Sequence, residues 1–208
     1  MKNSYKTIPF SYERRLVEDS CMIGKTFPFV TTVWEVDITD IRKKIKMYRK
    51  LKGTSLSITT YVLHCFILTV NENKSTHACN SWRNKLYIFD DIDVLFPVEL
   101  ANKTLDPKII RSSNFKNVAD LEREILESKN QKNIKIQWYK KVFLHYPRFI
   151  RKLVYSAIMG RPLWRKDMFG TAFFTSPSFV NNFRLNAYAI PSHSIGVCLG
   201  SIFDQSVV

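Results

Sequence analysis

The sequence predicts an α/β fold, and three observations carry that reading. A run rich in Phe, Val, Thr and Trp at 27–36 gives way to helical periodicity, two short apolar runs at 170–175 and 194–199 read as buried strands, and the length and composition are those of one globular domain. With 208 residues, 45% hydrophobic and 24% charged, the chain can bury a core without disulfides or a structural metal, since folding removes roughly 70% of the unfolded surface at this size. No internal repeat, low-complexity stretch or linker divides it, so one domain over 1–208 is expected, with an N-terminal arm over about 1–25.

The elements follow in order. After the strand at 27–36, Thr39 or Asp37 caps a helix over about 40–51 that Gly53 ends. A second helix over 59–70 is apolar almost all round (Val62, Leu63, Cys65, Phe66, Ile67, Leu68) and should be deeply buried. Runs at 86–89 and 92–100 flank Asp90-Asp91 and read as two strands around a tight turn. Asn117 caps a short helix with Val118, Leu121 and Ile125 on one face and Glu122 and Glu124 turned to water.

Charge is uneven. The formal net charge is +14, and residues 132–166 hold ten lysines and arginines and no acid. Aromatic and aliphatic residues recur there three and four apart on either side of Pro147, which predicts two amphipathic helices meeting at a proline. Such a segment fits an anionic membrane surface, nucleic acid or an anionic cofactor; the plainer reading is a helical connection that packs its apolar stripe on the core and leaves its lysines solvated.

Cys21, Cys65, Cys79 and Cys198 form no C-x-x-C pair, and Cys65 and Cys198 sit in apolar runs where a buried reduced thiol is usual. Residues 1–10 hold two lysines with no apolar stretch behind them, Arg14-Arg15 is followed by Leu-Val-Glu-Asp and not by a twin-arginine apolar core, and no span of about 20 apolar residues exists. These features predict a cytoplasmic protein without a transmembrane segment.

There is no G-x-x-x-x-G-K-[ST], G-x-G-x-x-G or H-E-x-x-H, which counts against nucleotide hydrolysis and zinc proteolysis, and no metal is expected. His64, His77, His145 and His193 lack an acidic partner at a telling spacing, so each is better read as a satisfied histidine than as a base.

Three stretches taken together carry a resemblance: Pro28-Phe-Val-Thr-Thr-Val-Trp-Glu-Val-Asp-Ile-Thr39; Ile88-Phe-Asp-Asp-Ile-Asp-Val94 with Pro97-Val98-Glu99; and Phe169-Gly-Thr-Ala-Phe-Phe-Thr-Ser176, followed by Ala189-Ile190-Pro191 and Ile195-Gly-Val-Cys-Leu-Gly-Ser-Ile202. In this order they resemble the catalytic domain of the 2-oxo acid dehydrogenase acyltransferases over about residues 5–203. The opening at 5–17 and the basic segment resemble the stand-alone bacterial members, which lack lipoyl domains.

The resemblance implies the two-layer α/β sandwich shared with chloramphenicol acetyltransferase, a mixed sheet covered by helices; it also implies a homotrimer with active sites between subunits, and acyl transfer between thiols with coenzyme A and lipoamide as acyl carriers. It implies a Ser or Thr hydroxyl that holds the oxyanion at the end of the Gly-Thr strand, which falls on Thr175, or on Ser176 if the register is shifted by one; on its own, Thr175 would read as a strand-ending threonine bonded to nearby backbone. It also implies a histidine base in Asp-His-x-x-x-Asp-Gly, and no such motif occurs in these 208 residues. By this reading the chain stops at Val208 inside the hairpin that leads to the motif, so the fold is C-terminally incomplete and the chain as it stands is expected to transfer acyl groups weakly or not at all. A partner role beside a full-length homologue, or a basic membrane- or nucleic-acid-binding role for residues 132–166, are the alternatives.

Overall fold

The computed structural model describes residues 6–7, 9–10, 12–53, 55–99, 105–130, 143–176, 188 and 192–203. Along the chain run α1 (Tyr12–Gly24), α2 (Thr39–Lys52), α3 (Ile58–Glu72), β1 (Cys79–Asn80), β2 (Leu86–Tyr87), β3 (Val94–Glu99), β4 (Leu105–Ile110), α4 (Val118–Lys129), α5 (Arg148–Met159), α6 (Pro162–Phe169), β5 (Ala172–Thr175) and β6 (Gly196–Cys198). The central sheet has the order β4-β3-β5-β6; β4 is antiparallel to β3, while β3, β5 and β6 run parallel. The fold is therefore α/β with a mixed sheet, as the sequence predicts.

One face of the sheet builds the core. Side chains alternate along a strand, so Val94, Phe96 and Val98 of β3 and Ala172 and Phe174 of β5 point the same way. They meet Leu63, Phe66, Ile67 and Val70 of α3 and Leu121 and Ile125 of α4. Phe174 is fully buried, its ring 6.1 Å from Phe66 and 5.7 Å from Phe96. A smaller cluster joins Ile23 of α1 to Tyr155 and Ile158 of α5, with Phe27 and Phe169 packed beside it.

Glycines mark two of the joints. Gly53 ends α2 in the left-handed conformation, φ 65°, and its N–H bonds the Arg49 carbonyl. Gly170 enters β5 at φ 80°, and a Cβ there would lie 2.6 Å from the Asp93 carbonyl oxygen. That oxygen accepts the Thr171 and Ala172 N–H groups, and the Thr171 hydroxyl accepts the Asp93 N–H at 3.1 Å. The contact locks the start of β5 to the start of β3.

Several expectations are corrected. Residues 28–38 form no strand; they are irregular between Phe27 and α2, and 28–37 are exposed. The pairing of the runs on either side of Asp90-Asp91, which the sequence left open, is settled by the fold: β2 pairs with β1, and β3 lies between β4 and β5. Helix α3 is buried on one side only, with Cys65 and Leu68 exposed, because its apolar residues exceed what one sheet face can cover. Glu122 faces inward at 6% exposure, not to water. The basic segment is described from residue 143 on; there Pro147 starts α5, while the helix expected before it falls largely outside the described residues.

Candidate active site

Thr175 closes β5 and is half-buried. It lies on the face opposite Phe174, the face that also carries Phe173. Its carbonyl accepts the Leu199 N–H at 2.9 Å, and its Cα partner on β6 is Cys198. The Thr175 hydroxyl has no hydrogen-bond partner among the described residues.

Ser176 follows beyond the strand and faces the first turn of α3, its Oγ 3.5 Å from Thr59 Oγ1, longer than a good hydroxyl hydrogen bond. Ser57 caps that helix by accepting the Thr60 N–H at 3.1 Å. Glu122 of α4 accepts from both the Ser57 N–H at 3.1 Å and the Ser57 hydroxyl at 3.0 Å. A buried carboxylate thus sits at the positive end of α3 and fixes the turn that carries Thr59. Thr59 was not singled out from the sequence; Ser57, a helix-capping residue just ahead of the apolar run, was the available signal.

Among the described residues, neither a base nor a nucleophile is supplied nearby. His193 stacks on Phe173 with ring centroids 5.8 Å apart. Its Nε2 lies 2.8 Å from the Phe169 carbonyl, which can only accept, so Nε2 carries the proton and Nδ1 accepts from Ser192 Oγ at 2.8 Å. Desolvation lowers its pKa to about 4, against a modest lift from the Phe169 bond. A neutral imidazole with both nitrogens engaged is a poor general base. His77 is fully buried and its pKa is likewise lowered by desolvation. Burial raises the Cys198 and Cys79 thiols, which keeps both protonated. Cys65, expected buried, is exposed on α3.

The cations gather at the other end of β5. Asp93 accepts from Arg111 Nη1 and the Ser112 N–H, both at 2.8 Å, and Arg111 also reaches the Lys166 carbonyl at 3.0 Å. Lys166 pairs with Asp91, whose carboxyl is held below its usual value chiefly by that bond, and lies 4.9 Å from the Phe89 ring. Arg151 makes a bidentate pair with Asp19, Arg148 lies 3.6 Å from Glu18, Arg161 stacks on Trp164, and Arg165 donates to the Ser192 carbonyl. Of the basic segment's described cations, Lys152 has neither an ion pair nor a ring contact among the described residues. These groups are mostly engaged within the fold, and not merely solvated. Among the described residues no group of three or more His, Cys, Asp or Glu could hold a metal ion, and no helix is long and apolar enough to cross a membrane.

This architecture is that of the acyltransferase catalytic cores. Among solved structures, the chain is similar to a probable dihydrolipoamide acetyltransferase from Listeria monocytogenes 4b F2365, with TM-score 0.67 and 16% identity over 98% of this chain and 78% of that one. It is similar to the dihydrolipoamide acetyltransferase of Azotobacter vinelandii, in a study of a serine, a histidine and an asparagine in its catalytic mechanism, with TM-score 0.62 and 14% identity over 92% and 70%. It is similar also to the cubic core of a pyruvate dehydrogenase multienzyme complex, with TM-score 0.61 and 14% identity over 92% and 70%. At such identities the likeness establishes the fold. No family model and no curated relative matches the chain.

Proposed function

We propose that residues 1–208 form one domain of a coenzyme A-dependent acyltransferase, with Thr175 as the oxyanion donor. The observation that carries this reading is the Thr175 hydroxyl, unpartnered among the described residues, at the end of β5 in a fold whose solved neighbours are acetyltransferases. In the reaction, a base takes the proton of the accepting thiol and the thiolate attacks the thioester carbonyl. The carbonyl π electrons move onto oxygen, where the Thr175 hydroxyl donates to the oxyanion; collapse expels the first carrier as a thiolate, which takes the proton back. Ser176 is the alternative donor. Coenzyme A and lipoamide are the proposed carriers, and the site is proposed to be completed in a homotrimer.

The base is not among the described histidines near Thr175, since His193 is neutral and doubly bonded. That observation also supports a second reading, a non-catalytic partner whose Thr175 side completes a site with a histidine-bearing homologue. A thioester-exchange assay with coenzyme A, run on the 208-residue chain and on one extended through an Asp-His-x-x-x-Asp-Gly strand and helix, separates the two. Activity that appears with the extension and falls with Thr175→Val supports the enzyme reading. Activity in neither, with mixed assembly on co-expression with a full-length relative, supports the partner reading; neither result sinks both.

A further inference from the structure

The turn between β1 and β2 meets the start of α6 at the surface. Asn84 takes a left-handed conformation there, φ 54°, and the Ser81 N–H bonds the Lys85 carbonyl at 2.8 Å, so residues 82–85 form a tight, exposed turn. The Trp82 N–H donates to the Gly160 carbonyl at 3.1 Å, which pins that turn beside Arg161 and the first turn of α6.

Two aromatic–cation pairs are brought together by this contact. Arg83 lies 5.3 Å from the centre of the Trp82 ring and Arg161 lies 4.2 Å from that of Trp164, yet the two tryptophans remain 70% and 51% exposed. Leu86, which follows the turn, and Leu163, which precedes Trp164, are exposed at 63% and 61%.

The charge of this patch is not neutralised within the fold. Arg83, Lys85 and Arg161 make no ion pair among the described residues. Residues 79–89 and 158–166 contain no aspartate or glutamate.

That chemistry selects the partner. Indole and leucine side chains gain by leaving water at the boundary between lipid headgroups and acyl chains, and unpaired cations gain from anionic headgroups at the same depth. A guanidinium resting on an indole enters that boundary with it, and the cation–π contact strengthens as water is removed. A nucleic-acid strand needs free ring faces for successive bases, whereas each indole here already carries a guanidinium on one face and the leucines offer none. A second copy of a chain of net charge +14 brings charge of the same sign.

We infer that the β1–β2 turn and the start of α6 form a docking surface for an anionic lipid bilayer, with Trp82 and Trp164 seated at headgroup level. This surface stands independently of the acyltransferase reading. The test mixes the 208-residue chain with phosphatidylcholine vesicles prepared with and without phosphatidylglycerol. Binding is read by flotation, and depth by quenching of tryptophan fluorescence with lipids brominated on their acyl chains. Expected is binding only where phosphatidylglycerol is present, with quenching, and weaker binding as salt is added. Arg83→Gln with Arg161→Gln should lower the partition coefficient at least about tenfold. Trp82→Ala with Trp164→Ala should lower it comparably and remove most of the quenching, whereas Trp34→Ala, in the exposed run before α2, should change neither. Circular dichroism of every variant should match the parent, because the substituted side chains are exposed.

No binding to the anionic vesicles at low salt, or equal binding to both kinds, overturns the inference. So does binding without quenching, or binding that Trp34→Ala weakens as much as the paired tryptophan change. If the arginine and tryptophan changes abolish binding of a single-stranded oligonucleotide while vesicle binding is unaltered, the patch serves nucleic acid and the bilayer surface is likewise overturned.

Discussion

Thr175 is one residue removed from a fully buried phenylalanine, and that alternation turns its hydroxyl to the far face of the sheet while Phe174 anchors the strand. In a chain that carries the histidine segment, Thr175→Val should lower kcat about 10²- to 10³-fold, the usual cost of removing one oxyanion donor, with KM little moved and Thr175→Ser retaining most activity. A larger loss from Ser176→Ala than from Thr175→Val would shift the donor by one residue. Glu122 acts through structure instead. Glu122→Ala leaves two Ser57 donors unpaired at a part-buried helix start, so urea unfolding should report a loss of about 1–3 kcal/mol.

At the scale of elements, the α1–α5 pair depends on a charge turned inward. Arg151→Met leaves Asp19 buried without its partner and should cost about 3–5 kcal/mol, while Asp19→Leu combined with Arg151→Met should recover most of that, measured as a double-mutant cycle by denaturant unfolding. The junction into β5 is equally specific. Gly170→Ala should cost about 1–3 kcal/mol for its backbone conformation, and more for the clash with the Asp93 carbonyl. Urea denaturation of the variant followed by circular dichroism would read this directly. The loop that carries His193 responds to pH. Its pKa is about 4 in the fold against 6.5 unfolded, so between those values the unfolded chain binds more protons. Stability should therefore be full above about pH 6.5 and fall by up to about 3 kcal/mol as pH drops to 4. His193→Gln should flatten that slope in pH-dependent unfolding.

For the whole molecule, the dominant fact is a net charge of +14. Self-repulsion at that level destabilises the compact state, so raising ionic strength from about 0.01 to 0.15 M should raise Tm, as calorimetry would show. The likeness to solved acyltransferase cores joins the parts: helices α3 and α4 on one sheet face, and Thr175 at the strand end beside the start of α3. The cationic network lies at the opposite end of β5, around Asp91, Asp93, Arg111 and Lys166.

The sequence by itself determined the α/β class, helices α2, α3 and α4 with the Asn117 and Gly53 caps, and the strand ending at Thr175. Each rests on local chemistry: periodicity, a cap hydrogen bond, or a left-handed residue that favours glycine. Only the tertiary structure decided the rest. β4 was missed because Asp106, Pro107 and Lys108 break the apolar pattern, and its pairing with β3 is a long-range event. Residues 28–38 have the composition of a strand but no described neighbour to pair with, since strand formation requires a partner that local sequence cannot supply. Burial of Glu122 and Arg151 depended on where Ser57 and Asp19 came to lie, 65 and 132 residues away.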